Sequence, residues 1–289
     1  MAEKKTILVT GANGQLGNEM RVVSAAYNAY NFLFVAKQDL PVDNIDALKK
    51  YFEDHTIDYC VNCAAYTAVD KAETEPEKAL VVNATAVGNL AAICEAHHTQ
   101  FIHISTDYVF DGTAAVPYTE EYPVAPVNMY GATKLKGEEL AQQNNPASII
   151  IRTSWVYSSF GNNFVKTMLR LMKEREQLNV VSDQQGCPTY AADLAGAIMQ
   201  IITSNKAAEQ AGIYNYSNSG VINWYQFADA IKELSGSKCL LYPIPSSSYP
   251  TPAKRPTYSV MDTTKIQHSF NIVIPFWKDS LQKCLSLIG

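Results

Sequence analysis

Residues 9–17, VTGANGQLG, decide the fold of this chain. They overlap KTILVT, a short apolar run at residues 5–10 that reads as a buried strand, and lead into a helical pattern over about residues 15–27. Gly11, Gly14 and Gly17 therefore stand in a G-x-x-G-x-x-G pattern at a strand-to-helix turn. Glycine permits the tight turn and lets the backbone approach a pyrophosphate, which then rests on free N–H groups at a helix amino end. A glycine triplet alone is a weak signal. Its place between a strand and a helix makes a dinucleotide site the leading reading, with Gly11, Asn13, Gly14, Gln15, Leu16 and Gly17 as the expected cofactor contacts.

Outward from this turn, strand-like runs recur at residues 31–36, 57–62, 101–105 and 148–152, with helical patterns between them. Such alternation implies βαβ units and a parallel sheet covered on both faces, an α/β Rossmann-type doubly wound fold. Beyond about residue 155 the order loosens. Helices are expected at 163–176, 191–203, 224–235 and 277–287, among short strands and the proline-rich YPIPSSSYPTPAKRP. With no linker or repeat, the reading is a dinucleotide-binding domain over 1–155 and, over 156–289, mostly a smaller substrate-binding lobe intertwined with it. Its elements can cap the carboxyl edge of the sheet, where such folds bind ligands.

The 289 residues are 47% hydrophobic and 18% charged, ordinary for a globular protein. A formal net charge of -5 argues against a nucleic-acid or anionic-membrane surface. The amino terminus enters a strand directly, with no signal-peptide pattern, and no stretch reaches about eighteen apolar residues, so a cytoplasmic location is expected. The close cysteines Cys60 and Cys63 read as buried thiols within an apolar strand, pointing to opposite faces roughly 10 Å apart, not as a redox pair. No second pair completes a zinc site, and no metal ligands are assigned.

Tyr130 and Lys134 are four apart in the helical pattern NMYGATKLKGEE and share a face. An ammonium beside a phenol stabilises the phenolate, so a lowered tyrosine pKa is expected. The spacing is common by itself. Its weight comes from STDYVF, residues 105–110, whose hydroxyls fall at the end of the fourth strand, on the ligand-binding edge. Glycine loop, strand-end hydroxyls and Tyr/Lys helix arrive in the order a short-chain dehydrogenase requires.

Together with NCAAYTAVDKAE, RTSWVY, GNNFVKTMLRL, DQQGCPTY and YPTPAKRPTYSVMD, these segments resemble the dTDP-4-dehydrorhamnose reductase family of the extended short-chain dehydrogenases, over nearly the whole chain. The resemblance implies reduction of the C4 ketone of dTDP-4-dehydro-L-rhamnose by NAD(P)H. Tyr130 supplies the proton, Lys134 holds the nicotinamide ribose and tunes Tyr130, and Thr106 orients the carbonyl. Asp107 and Trp155 meet the sugar, and Arg255 is the candidate for the substrate diphosphate. Ala64, Ala65 and Tyr66 line the path from adenosine to nicotinamide, and Asn83 anchors the loop beneath. Another nucleotide-sugar 4-ketoreductase or epimerase, or a non-catalytic regulatory subunit of this fold, is the alternative. A dehydratase would need a glutamate where Tyr108 stands. The resemblance admits a monomer or a homodimer, and magnesium for some members.

One position departs from the pattern. In FVAKQDL, residues 34–40, alignment on YCVNCAAY sets Ala36 at the usual ribose-binding acid, Lys37 beside it, and Pro41 where an aspartate often meets adenine. A missing carboxylate removes repulsion of a 2'-phosphate, and an ammonium attracts it. NADPH is therefore the expected cofactor through Lys37, with NADH as a second donor, although Asp39 and Asp43 stand close enough in sequence to reach the ribose.

Overall fold

A computed structural model describes residues 4–288. The first half alternates: β1 (Lys5–Thr10), α1 (Gln15–Ser24), β2 (Tyr30–Val35), α2 (Ile45–Asp54), β3 (Tyr59–Asn62), α3 (Val69–Ala72), α4 (Pro76–Leu80), α5 (Ala86–Ala96), β4 (Gln100–Thr106), α6 (Met129–Asn144) and β5 (Ile149–Thr153). Shorter pieces follow: β6 (Val156–Tyr157), α7 (Phe164–Glu174), β7 (Gln177–Val181), β8 (Gln185–Gly186), β9 (Thr189–Tyr190), α8 (Ala191–Thr203), β10 (Gly212–Tyr216), β11 (Ile222–Asn223), α9 (Trp224–Ser235), β12 (Leu240–Ile244), α10 (Thr264–Phe270) and α11 (Trp277–Ile288).

Six strands form one parallel sheet in the order β10-β5-β4-β3-β1-β2. Successive strands step outward in opposite directions on the two sides of β1, so the crevice for a ligand lies at the carboxyl ends of β1 and β3. Strand residues alternate between two cores. Ile7 and Val9 pack with Met20 of α1 and Leu194 and Ile198 of α8, while Leu8 packs with Leu48 and Phe52 of α2 and with Leu90 of α5. This is the doubly wound fold that the alternating sequence implies.

The helical run Pro76–Ala96 has the length and apolarity of a membrane span. Its α5 portion instead inserts Val87, Leu90, Ala91 and Cys94 into the core beside the sheet, so it is a core helix. Between α4 and α5 the backbone widens into a π-turn at Val81–Thr85, which carries Asn83. Such a widening commonly accompanies a site.

The later segment is woven back onto the first. β10 adds the sixth strand beside β5, α8 packs on α1, and a separate core gathers α7, α9 and α11 around Phe227. Helices α8 and α9 match their sequence readings residue for residue, and α9 begins with a reciprocal capping box between Asn223 and Gln226. Helix α7 starts one residue later than read, because Asn163 is its cap and accepts the Lys166 N–H. Strand β3 stops at Asn62, which places Cys63 in the following loop. Cys60 is the buried free thiol expected, whereas Cys63 is a half-buried one, a correction that follows from its place just beyond the strand end at Asn62.

Candidate active site

A cavity of about 910 Å³ runs along the carboxyl edge of the sheet. The residues that end or directly follow the strands line it: Gly11 after β1, Ala36 after β2, Cys63 after β3, Thr106 at the end of β4 and Thr153 at the end of β5. Topology alone brings these remote positions together.

One end is made of backbone. Gly11 has φ 64°, and a Cβ there would stand 2.6 Å from the Ala64 nitrogen, so only glycine fits the turn. Gly14 precedes α1 and no side chain caps that helix, so its first N–H groups have no side-chain acceptor. Asn13, Gly14, Gln15 and Leu16 line the cavity with Gly11. Gly17 does not; a Cβ there would lie 2.5 Å from the Gly11 carbonyl oxygen, so it serves the packing of the helix on the turn. A glycine cradle at an open helix end, with no side chain between them, fits a dinucleotide pyrophosphate.

Beside it, Ala36 and Lys37 line the cavity, and Lys37 is exposed and in no ion pair among the described residues. Asp39 folds back to accept the Ala36 N–H at 3.0 Å and lies outside the lining. Pro41 is absent from the lining too, while Asp43 belongs to it. The floor continues through Ala64, Ala65 and Tyr66. Asn83 holds this loop with both halves of its amide, accepting the Tyr66 N–H at 2.8 Å and donating to the Tyr66 carbonyl at 3.0 Å. That is the anchoring read for Asn83 from the sequence.

The other end is made of side chains. Thr106 ends β4, and its hydroxyl donates to Asp107 at 2.9 Å and contacts the Tyr130 hydroxyl. Tyr130 opens α6, whose cap is Asn128, accepting the Gly131 N–H at 2.8 Å. Lys134 follows one turn later, nearly fully buried, donating to the Ile104 carbonyl at 2.6 Å and lying 3.2 Å from His103 Nε2. Behind them, Ser105 donates to Glu138, which also pairs with Arg152 of β5 at 2.7 Å, tying α6 to the strand ends.

Electrostatics here depart from the sequence expectation in one respect. Burial pushes the Tyr130 phenol up to about 12 and the Lys134 ammonium down to about 8. The expected lowering of Tyr130 by Lys134 is thus corrected: the lysine is turned toward His103 and the Ile104 carbonyl, and desolvation of the phenol dominates. Asp107 is also buried, which raises its carboxyl to about 7 against the opposing Thr106 hydrogen bond. Its Oδ2 has no hydrogen-bond partner among the described residues, and the residue lines the cavity.

Trp155 closes this end in a left-handed backbone conformation, φ 47°, which is costly for a bulky residue and concentrates at functional positions. Its ring stacks on Trp224 with centroids 3.6 Å apart. Trp224, from the first turn of α9, was not read as a site residue, because nothing local in the sequence points it at the cavity. Phe164 and Gly161 were missed for the same reason. Arg255, by contrast, is outside the cavity lining and bridges Asp70 at 2.9 Å. Among the described residues no three His, Cys, Asp or Glu side chains group as metal ligands.

A doubly wound sheet whose glycine turn faces a Thr/Tyr/Lys set across one cavity places the chain in the extended short-chain dehydrogenase class of nicotinamide-dependent oxidoreductases. The profile of one family, described as the RmlD substrate binding domain, matches residues 5–288, and the chain belongs to that family. A dTDP-4-dehydrorhamnose reductase from Burkholderia thailandensis is 40% identical to it, over 96% of this chain and 97% of that one. The crystal structure of a dTDP-4-dehydrorhamnose reductase from Clostridium acetobutylicum has a TM-score of 0.94 and 39% identity, covering 98% of this chain and 99% of its own. A third, from Bacillus anthracis and in complex with NADP, has a TM-score of 0.94 at 36% identity, with 98% and 99% covered.

Proposed function

We propose that this chain reduces the C4 ketone of dTDP-4-dehydro-L-rhamnose to dTDP-L-rhamnose, with NADPH as the preferred donor and a cytoplasmic setting. The observation that carries the reading is one cavity with a glycine cradle at one end and Thr106, Tyr130 and Lys134 at the other. It is joined by family relatives of that activity and by the NADP complex of the Bacillus anthracis structure.

The nicotinamide, when bound, supplies the hydride. The chain's own residues do the rest. Tyr130 stays protonated up to about pH 12, so its hydroxyl is an acid held ready for the developing alkoxide. Thr106, already against Tyr130, orients the ketone oxygen toward that proton. Asp107, in the cavity lining beside Thr106, is the polar group for the sugar, and the Trp155–Trp224 stack offers a flat apolar wall to the hexose. Gly11, Asn13, Gly14, Gln15 and Leu16 would hold the pyrophosphate, Ala64, Ala65 and Tyr66 would line the cofactor's path, and Lys37 would meet a 2'-phosphate. Arg255 reaches the substrate diphosphate by leaving Asp70. We assign residues 156–289, apart from α8 and β10, to the substrate lobe.

Tyr108 favours a reductase over a dehydratase: its ring stands edge-on to Tyr130, with centroids 5.6 Å apart, and brings no carboxyl at that position. The decisive experiment is steady-state oxidation of NADPH and NADH, with dTDP-4-dehydrorhamnose generated in situ as sole acceptor. Tyr130→Phe is expected to bind NADPH normally and to lose about 100-fold or more in kcat. Unchanged turnover in that variant would remove Tyr130 from the mechanism.

A further inference from the structure

Gln15 lines the glycine cradle, yet its side chain is engaged elsewhere. As the first residue of α1 it offers the cradle its backbone N–H, at a helix end that no side chain caps. Its amide reaches the later segment with both halves: Oε1 accepts from Asn163 Nδ2 at 2.9 Å, and Nε2 donates to the Val156 carbonyl at 3.5 Å. One turn along the same face of α1, Glu19 accepts the Ser158 hydroxyl at 2.6 Å. Gly161, at φ 64°, lets the loop between these contacts lie on the glutamine; a Cβ there would stand 3.1 Å from Gln15 Cγ.

Asn163 stands outside the cavity lining, and it caps α7 by accepting the Lys166 N–H at 3.1 Å. Its Nδ2 also donates to the Ser158 carbonyl at 2.7 Å, which folds residues 158–163 onto the cap. The next residue, Phe164, packs on Trp224 with centroids 4.6 Å apart, and Trp224 stacks on Trp155. Contacts thus run without a break from the first turn of α1 to the aromatic wall.

We propose that Gln15, through Asn163, is a positioning residue for the sugar end: the pair sets the register of the aromatic wall against the rigid cradle. The inference rests on the roles proposed above for the two ends of the cavity. Hydride transfer needs donor and acceptor held near contact, and two ends built on separate elements keep that spacing only if something spans them. The cradle is fixed by sterics at Gly11, so the hydrogen bond passes its position on to α7. The glutamine is therefore a cradle residue whose loss is felt by the sugar.

The test compares the parent with Gln15→Met, which keeps the backbone N–H and removes the amide, and with Asn163→Ser, which keeps a cap for α7 and removes the donor. Binding of NADPH and of dTDP-L-rhamnose is read by calorimetry; with both ligands reduced, no turnover intervenes. Each variant is expected to raise the dissociation constant for the nucleotide sugar about fivefold, the scale of one neutral hydrogen bond, and to raise that for NADPH less. The double variant is expected to lose no more than the weaker-binding single one, since both remove the same bond. An unchanged sugar constant in both variants, an equal or larger loss for NADPH, or a double variant that multiplies the two losses overturns the inference. Circular dichroism reads the wall without a sugar, through the couplet that two stacked indoles give, assigned by its loss in Trp224→Phe. That couplet is expected to weaken in both variants. If the parent binds NADPH but no dTDP-L-rhamnose, the sugar assigned above is wrong; a couplet equal in parent and variants then overturns the positioning role as well, whereas a weakened one upholds it.

Discussion

At one end of the cavity the lining is backbone from a single turn, and at the other it is side chains from four separate elements. Gly11 to Leu16 are contiguous, so the cradle needs only β1, α1 and the glycines between them. Thr106, Tyr130, Trp155 and Trp224 come from β4, α6, the loop after β5, and α9. The first end is rigid because sterics leave it no alternative, and the second is ordered only once the whole fold has formed. Mutations at the two ends are therefore expected to fail differently.

The largest effect is expected at Gly11. An alanine there meets both the left-handed backbone and the Ala64 nitrogen 2.6 Å away, so the turn must move and the cradle with it. Gly11→Ala is expected to raise the dissociation constant for NADPH about 100-fold or more, as read by fluorescence titration. The comparison breaks if this variant binds NADPH normally.

At the sugar end the expected loss is smaller and of another kind. Trp224→Ala removes the partner on which Trp155 stacks but leaves the cradle intact. The KM for the nucleotide sugar is expected to rise about tenfold, the scale of one aromatic contact, with NADPH affinity unchanged. Parallel losses in both ligands would show that the two ends are not separately built.

The same contrast explains what could be read from the sequence. The glycine turn was legible because its chemistry lies within one short segment, and α8 and α9 because their patterns and Asn223 lie within their own bounds. Tyr130 and Lys134 were legible as a pair by helical spacing. Their electrostatics were not, since the direction of the Tyr130 shift depends on burial and on His103 drawing the lysine aside. Trp224 was invisible for a like reason: only the packing of α9 brings it to Trp155. Arg255 was read as a diphosphate ligand from its residue type, and only the fold shows Asp70 holding it.

Asp107 gives the next effect, in stability. An unfolded aspartate titrates near about 3.9, and the folded group is raised, so between roughly pH 4 and 7 the native state binds the extra proton. Stability therefore falls as pH rises through that window, to the folded value of about 7. Asp107→Asn removes the buried charge and is expected to raise Tm by several degrees at pH 8 and to change it little at pH 4, as calorimetry would show. A lower Tm at pH 8 would mean that the carboxylate is stabilised in the fold. The variant's KM for the sugar then reports how far that stability cost serves binding.

Lys37 is where the backbone-built end carries an exposed cation, and the smallest effect is expected there. Because the side chain is exposed, its attraction for a 2'-phosphate is screened and amounts to about 1 kcal/mol. Lys37→Ala is accordingly expected to raise the KM for NADPH about fivefold at low ionic strength and to leave that for NADH unchanged. The NADPH difference should shrink as salt is added, since a Coulombic contact at the surface is lost within a Debye length of about 8 Å at physiological salt. Equal changes for both donors would assign Lys37 to the fold of the loop, and a parent that strongly prefers NADH would leave Asp43, the carboxylate that does line the cavity, as the ribose contact.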